Sequence, residues 1–217
     1  MKLYAHPFSS YCQKALIALY ENGTSFELRL LSPDHPENAA EHETVWPLKR
    51  FPVLTDGART LMEATIIVEY LDLRYPGPAR LLPEDPLAAL DVRLLDRIFD
   101  NYVMTPMQKI VGDSLRPADG RDAHGVGEAR QLLEQSYAWL ESTLGERTWA
   151  NGDEFSLADC AAAPALFYAD WVHPIGEAFP QLRGYRRRLL ERPSIARTVD
   201  EARPYRPLFP LGAPDRD

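Results

Sequence analysis

The sequence predicts two unlike halves: a mixed α/β domain over residues 1–77 and an all-α helical domain over residues 85–217. Three observations carry this reading. Strand-like and helix-like patterns alternate from Lys2 to Arg74. From Asp85 onward the period-two pattern disappears and only helical spacing remains. At the first strand-to-helix junction, the run His6-Pro7-Phe8-Ser9-Ser10-Tyr11-Cys12-Gln13-Lys14 has the features of a ligand-holding helix start.

Taken in order, Lys2-Leu3-Tyr4-Ala5 reads as a strand, and Cys12, Leu16, Leu19 and Tyr20 follow with helical spacing. Ser10 and Gln13 fit a capping box, with the serine hydroxyl taking a backbone N–H and the glutamine reaching back. The first turn of such a helix carries unpaired N–H groups and a partial positive charge, which suits an anion. Ser9-Ser10-Tyr11-Cys12 also has the form of a C-x-x-C redox motif whose first Cys has become Ser. A site built to stabilise a thiolate then lacks its own thiol, and a ligand is expected to bring it.

Asn22-Gly23 stops this helix, and Phe26, Leu28 and Leu30 alternate with charges as a half-buried strand. Residues 32–45 are polar and read as a loop with one short exposed helix. Asp56-Gly57 is a hairpin signal between Val53-Leu54-Thr55 and Arg59-Thr60-Leu61-Met62, with Pro52 confined to the strand's start because it has no N–H. Glu63-Ala64-Thr65 opens a helix through Ile66, Ile67, Tyr70, Leu71 and Arg74, which Pro76-Gly77-Pro78 ends. Strand, helix, strand, helix, hairpin, helix is the order of a thioredoxin-like domain.

In the second half, Asp85-Pro86 is a cap followed by proline at the first helical position. Leu87, Leu90, Leu94, Ile98 and Tyr102 mark one face of a long helix that Pro106 is expected to end or kink. Residues 112–127 read as a mobile loop, and a helix is expected over residues 128–144 with Gly145 as its stop. Ser156 and Asp159 fit a capping box, and the helix after them, residues 161–171, is apolar nearly all round and therefore central. Helices over residues 181–190 and 194–202 and a Pro-rich, aperiodic tail complete the chain.

Composition narrows the function. The 24 basic and 32 acidic residues give a net charge of −8, which excludes general binding to nucleic acid or to an anionic membrane. Arg186-Arg187-Arg188 reads as a solvated helix face. Two distant cysteines imply no disulfide framework and a reducing, cytoplasmic setting. The N-terminus enters a strand directly, without the apolar run of a signal peptide, and no stretch reaches transmembrane length. The five histidines and two cysteines show no metal-ligand spacing, so no metal is expected. Cys12 shares the apolar face with Leu16 and Leu19, and with Ser at position 9 it has no redox partner, so it reads as a core residue.

Four segments together resemble the cytosolic glutathione transferases, in particular their serine-type bacterial, theta-like and zeta-like branches. These are Ser9 to Leu16 after the first strand; Phe51-Pro52-Val53-Leu54, like the family's cis-proline segment; Leu61 to Leu71, like its Glu-Ser-x-x-Ile helix start; and the Ser156–Asp159 cap. The resemblance covers nearly the whole chain. It implies the glutathione transferase fold, a thioredoxin-like domain followed by an all-α domain, and a homodimer. It implies glutathione as co-substrate, attack of its thiolate on a small apolar electrophile, and a role in detoxification. The doubled Ser9-Ser10 is similar to the zeta-like branch, which implies the alternative of a glutathione-dependent cis-trans isomerase. A non-catalytic binding protein that kept the fold is the third reading.

The resemblance also implies roles for residues. Ser9 would donate a hydrogen bond to the glutathione sulfur and favour the thiolate. Ser10 would cap the helix or assist Ser9. Phe51 and a cis Pro52 would present the Val53 backbone to the cysteinyl group as an added strand. The N–H groups at Glu63, Ala64 and Thr65 would hold the γ-glutamyl carboxylate, with Glu63 facing its ammonium. Lys49 or Arg50 would meet the glycyl carboxylate, or stay as solvated loop charges. Ala64 stands where the family has Ser, which implies weaker glutathione binding. Phe8, Tyr102, Met104, Met107 and Tyr168 are candidates for the electrophile pocket or for core packing.

Overall fold

A computed structural model describes residues 1–217. The first domain is a four-stranded sheet of order β2-β1-β3-β4, built from β1 (Lys2–Ala5), β2 (Glu27–Leu30), β3 (Val53–Asp56) and β4 (Arg59–Met62). β1 runs parallel to β2, with Leu3 opposite Leu28, and antiparallel to β3, with Leu3 opposite Leu54. The Asp56-Gly57 turn closes the β3–β4 hairpin, and Gly57 adopts the left-handed φ of 59° that a two-residue turn requires. Helices α1 (Ser10–Glu21), α2 (Pro36–Val45) and α3 (Ala64–Arg74) complete the domain. Buried α1 joins the sheet to the helical half, and Cys12, Leu16 and Leu19 lie in the core as their spacing predicts.

The helix start at α1 is shifted by one residue from the predicted capping box. Ser9 is the N-cap, with extended backbone and its Oγ accepting from the Cys12 N–H, and Ser10 is the first helical residue. Gln13 does not reach back to the cap. Its amide donates to the Pro7 carbonyl at 2.9 Å and to the Tyr168 hydroxyl at 3.0 Å, and Tyr168 donates in turn to the Phe8 carbonyl at 3.0 Å. The turn that presents Ser9 is thereby tied to the helical domain.

That domain contains α4 (Pro86–Ile98), α5 (Thr105–Ser114), α6 (Ala123–Leu144), α7 (Leu157–Val172), α8 (Pro180–Glu191) and α9 (Pro193–Ala202). Every residue of α7 is buried, and the Ser156–Asp159 capping box is formed, with Asp159 also taking the Tyr185 hydroxyl and the Ala150 N–H. Pro106 does not end the first rod. A π turn, Phe99–Met104, links α4 to α5, and the carbonyl of Tyr102, which Pro106 cannot serve, accepts from the Ser136 hydroxyl at 2.9 Å. The expected mobile loop contracts to residues 115–122, because α5 runs through Gly112 and Asp122 caps α6 five residues earlier than the predicted start.

Three further expectations are corrected. The Leu87, Leu90 and Leu94 face of α4 is exposed, and the buried face is Ala89, Val92, Leu95 and Asp96. Arg186 is not solvated: it lies under the helical domain, 3.4 Å from Asp170 and against the Phe167 ring. The aperiodic tail folds back, burying Phe209 against Trp171 and Phe8 and stacking Tyr205 edge-on against His6.

The two domains are joined by a buried cluster of charge. The Lys14 side chain is 1% exposed and touches Asp96, which is fully buried. Lys14 donates to Asp100 Oδ2 and to Thr65 Oγ1, each at 2.8 Å, and Thr65 donates to Asp96 at 3.0 Å. Arg97 closes the cluster, its Nε on Asp96 and its Nη2 on Asp100. Burial holds the Asp100 carboxyl above the usual range, against the opposing pull of Lys14. Lys14→Met removes one cation and strands buried carboxylate charge, so urea unfolding should show a loss of about 3–5 kcal/mol. A loss below about 1 kcal/mol would mean that Arg97 alone neutralises both carboxylates.

Candidate functional site

A cavity of about 570 Å³ opens between the sheet domain and α4–α5. From the first domain it is lined by Ser9 and Tyr11 at the start of α1, by Trp46, Lys49, Arg50, Phe51 and Pro52 before β3, and by Met62, Glu63 and Ala64 at the start of α3. From the second it is lined by Arg97, Asp100, Asn101 and Gln108. Two helix N-termini therefore face one space, each with first-turn N–H groups that the helix itself cannot pair.

Phe51–Pro52 is a cis peptide bond, as the resemblance implied. The chain has two non-glycine residues in the left-handed region, Lys49 at φ 56° and Glu63 at φ 69°, and both line the cavity. Such backbone costs about 1–3 kcal/mol per residue and clusters at functional sites. No sequence signal announced it, since neither residue type favours this conformation.

Ser9 places its hydroxyl at the α1 helix start, where its Oγ accepts from the Cys12 N–H over a long contact of 3.5 Å. Cys12 behind it is fully buried, and burial pushes its thiol up to about 12. It stays a neutral core thiol. Tyr11, which sequence reasoning missed, reaches the cavity as well. Burial, with the nearby Asp100 charge, pushes its phenol up to about 12, so it remains a hydrogen-bond donor at neutral pH.

The remaining candidates divide. Glu63 and Ala64 lie at the cavity with no side-chain cap on α3. Lys49 lies there paired to Glu43 at 2.7 Å, and Arg50 lies there without an ion pair. Ser10 is buried in the first turn, away from the cavity lining. The Thr65 hydroxyl is committed to Lys14 and Asp96. Val53 sits within the ladder, opposite Tyr4 on one side and Met62 on the other, so an added strand has no room there. Phe51, outside every strand and lining the cavity, has a main chain that nothing in the protein pairs.

None of the five residues proposed for an electrophile pocket lines the cavity. Met104, Met107 and Tyr168 are core residues, Phe8 packs on Tyr168, Trp171 and Phe209, and Tyr102 faces solvent. Helical spacing identifies an apolar stripe but does not say which neighbour it meets. No group of three or more His, Cys, Asp or Glu is arranged to hold a metal ion.

Known proteins share this architecture. Residues 3–79 match the family described as glutathione S-transferase, N-terminal domain, and residues 116–188 match glutathione S-transferase, C-terminal domain. A stringent starvation protein A homolog of Coxiella burnetii is 29% identical over 205 residues, covering 93% of this chain and 92% of its own. A maleylacetoacetate isomerase of Pseudomonas aeruginosa is 28% identical over 191 residues, covering 84% and 88%. A crystal structure of a glutathione S-transferase from Methylobacterium radiotolerans, in complex with glutathione sulfonate, superposes with a TM-score of 0.78 at 32% identity, covering 91% of this chain and 93% of that one. Both halves thus match in their own order, and a solved member follows the backbone through nearly the whole length: the chain belongs to the glutathione S-transferase family.

Proposed function

We propose that this protein is a glutathione transferase in which Ser9 assists ionisation of the glutathione thiol and the thiolate attacks a small electrophile. The observation that carries this reading is the convergence, on one cavity, of Ser9 at the start of α1, the cis Phe51–Pro52 segment and the strained Glu63-Ala64 start of α3. Glutathione offers a γ-glutamyl carboxylate, a cysteinyl backbone, a sulfur and a glycyl carboxylate; these three features take the first three, and Arg50 at the same cavity takes the fourth. The γ-glutamyl carboxylate lies on the N–H groups opening α3, with Glu63 against the ammonium. The cysteinyl backbone pairs with the free main chain of Phe51 in the manner of an added strand. The glycyl carboxylate meets Arg50, the cavity cation without an internal partner. The sulfur then lies at the start of α1, where the helix field and the Ser9 hydroxyl both favour the anion. Only the thiolate is a good nucleophile, so stabilising it raises the rate.

The similarity to a maleylacetoacetate isomerase supports a second use of the same thiolate, in which glutathione adds to a double bond, the adduct rotates and glutathione leaves. The starvation protein homologs keep open a binding role without turnover. A depressed thiol pKa in the complex favours either enzymatic reading over the last.

A homodimer fits one surface feature. Glu69 and Arg93 pair through two bonds of 2.9 Å, and with the Thr65–Asp96 bond one turn away they tie α3 to α4 in antiparallel sense. Beside that pair, Ile66 and Leu73 on α3 and Leu87, Leu90 and Leu94 on α4 are all exposed. Large apolar side chains exposed on two neighbouring helices in this way suit an association surface. We expect sedimentation at micromolar concentration to show a dimer and Leu90→Glu to give monomer; a wild-type monomer overturns the assignment.

Ser9→Ala should fold normally and raise the pKa of bound glutathione by about 1–2, because a hydrogen bond to a charged group contributes about 1.5–3 kcal/mol and about 1.36 kcal/mol corresponds to a tenfold shift in ionisation. Ultraviolet titration of the thiolate in the complex reads this directly, and an unchanged titration rules out the role. Ala64→Ser restores a hydroxyl at the α3 start. With Thr65 committed elsewhere, calorimetry should show glutathione binding tightened by about ten- to a hundredfold. No change would place the γ-glutamyl group away from this helix.

A further inference from the structure

The cavity wall supplied by the helical domain is polar throughout. Its four residues are Arg97, Asp100, Asn101 and Gln108, whereas every apolar residue at the cavity comes from the first domain. A wall built to receive an apolar molecule offers few hydrogen-bonding groups, and those are normally satisfied. Here they are not. Arg97 is locked by its Nε and Nη2 onto Asp96 and Asp100, while its Nη1 makes no hydrogen bond within the protein. The Arg97 side chain is about half exposed, at 46%, and lines the cavity. Asn101 and Gln108 are exposed, line the same space, and their side-chain amides pair with nothing in the chain. Asp100 and Asn101 lie in the π turn, an irregularity that recurs at functional sites.

Resting on the glutathione reading above, we propose that the electrophile taken by this site carries a carboxylate or carbonyl oxygen, held by the free Nη1 of Arg97 with Asn101 and Gln108. Preorganisation is the reason Arg97 suits the task. Two buried carboxylates fix its plane, so an incoming oxygen meets donors already in place, without ordering a long side chain. An apolar aryl group on the same wall would bury two amides and a guanidinium edge without partners, at a cost it cannot offset. The site discriminates by rejection as much as by attraction.

The test uses three aryl chlorides of one scaffold: 4-chloro-3-nitrobenzoate, 4-chloro-3-nitrobenzamide and 4-chloro-3-nitrobenzotrifluoride. In each, the glutathione thiolate forms a C–S bond at the chlorine-bearing carbon, and chloride leaves with the bonding pair. The ring charge formed in between rests on the nitro group common to all three. Each enzymatic kcat/KM is divided by the uncatalysed rate constant with glutathione, which removes the difference in ring activation. We expect the benzoate and the benzamide to exceed the trifluoride by at least about tenfold, a difference of roughly 1.4 kcal/mol in transition-state binding. Benzoate alone exceeding it would specify an anionic oxygen, and both exceeding it a carbonyl-type oxygen. The double variant Asn101→Leu with Gln108→Leu changes two exposed, unpaired side chains and should keep the fold. It should cut the preference by about tenfold and leave calorimetric glutathione binding unchanged. Arg97→Lys should do the same if it folds, since an ammonium on Asp96 and Asp100 has no second edge to offer. Equal normalised rates for the three acceptors, or a preference for the trifluoride, overturns the proposal while glutathione binding persists. Absence of glutathione binding overturns the functional reading itself, and this inference with it.

Discussion

The buried Lys14–Asp96–Asp100 cluster is the constraint on which the architecture turns. A lysine that is 1% exposed has no water to fall back on, so its ammonium must be met by carboxylates, and both come from the other domain. That requirement sets α4 and the π turn against α1 and, through Thr65, against α3. The cavity lies on the rim of this junction. Asp100 and Arg97 serve the cluster with one side and the cavity with the other, so the wall facing the ligand is as rigid as the charge network behind it.

A second tie acts on the other wall. Gln13 and Tyr168 hold the carbonyls of Pro7 and Phe8, the two residues before Ser9, through three buried or half-buried hydrogen bonds. Tyr168 stays a neutral phenol, its pKa driven upward by burial, so it can both accept from Gln13 and donate to Phe8. A helix of one domain therefore positions the turn of the other that carries Ser9. The geometry of the Ser9 turn is a property of the two-domain assembly rather than of the sheet domain alone.

The cavity is set apart by contrasts in commitment. Thr65, Val53 and Cys12 have the right chemistry for a ligand but are already engaged or buried. Arg50, the Phe51 main chain, the Arg97 Nη1 edge and the Asn101 and Gln108 amides are uncommitted. The strained φ angles at Lys49 and Glu63 fall in the same place. Uncommitted polar groups and strain in one concave region are what a ligand would relieve.

What the sequence determined by itself is what local rules control. The element order, the Asp56-Gly57 hairpin, the Asp85-Pro86 and Ser156–Asp159 caps and the all-round apolar α7 each depend on residues a few positions apart, and each stands in the structure. Short-range pattern located the start of α1 to within one residue, the cap falling on Ser9 rather than Ser10, and the cis Pro52 followed from the family resemblance alone. Tertiary structure decided the rest, because the deciding partner lay far along the chain. Gln13 left its capping box for Tyr168, more than 150 positions away, since a buried amide must satisfy both hydrogens. Leu87, Leu90 and Leu94 turned outward because Asp96, on the opposite face, had to meet Lys14. Arg186 was drawn inside by Asp170, and Phe209 by the aromatic cluster of Phe8, Tyr168 and Trp171. Helical periodicity names two faces. Only the charge and shape of what packs against them decides which face goes in, and that choice made the cavity wall polar where the sequence had suggested an apolar one.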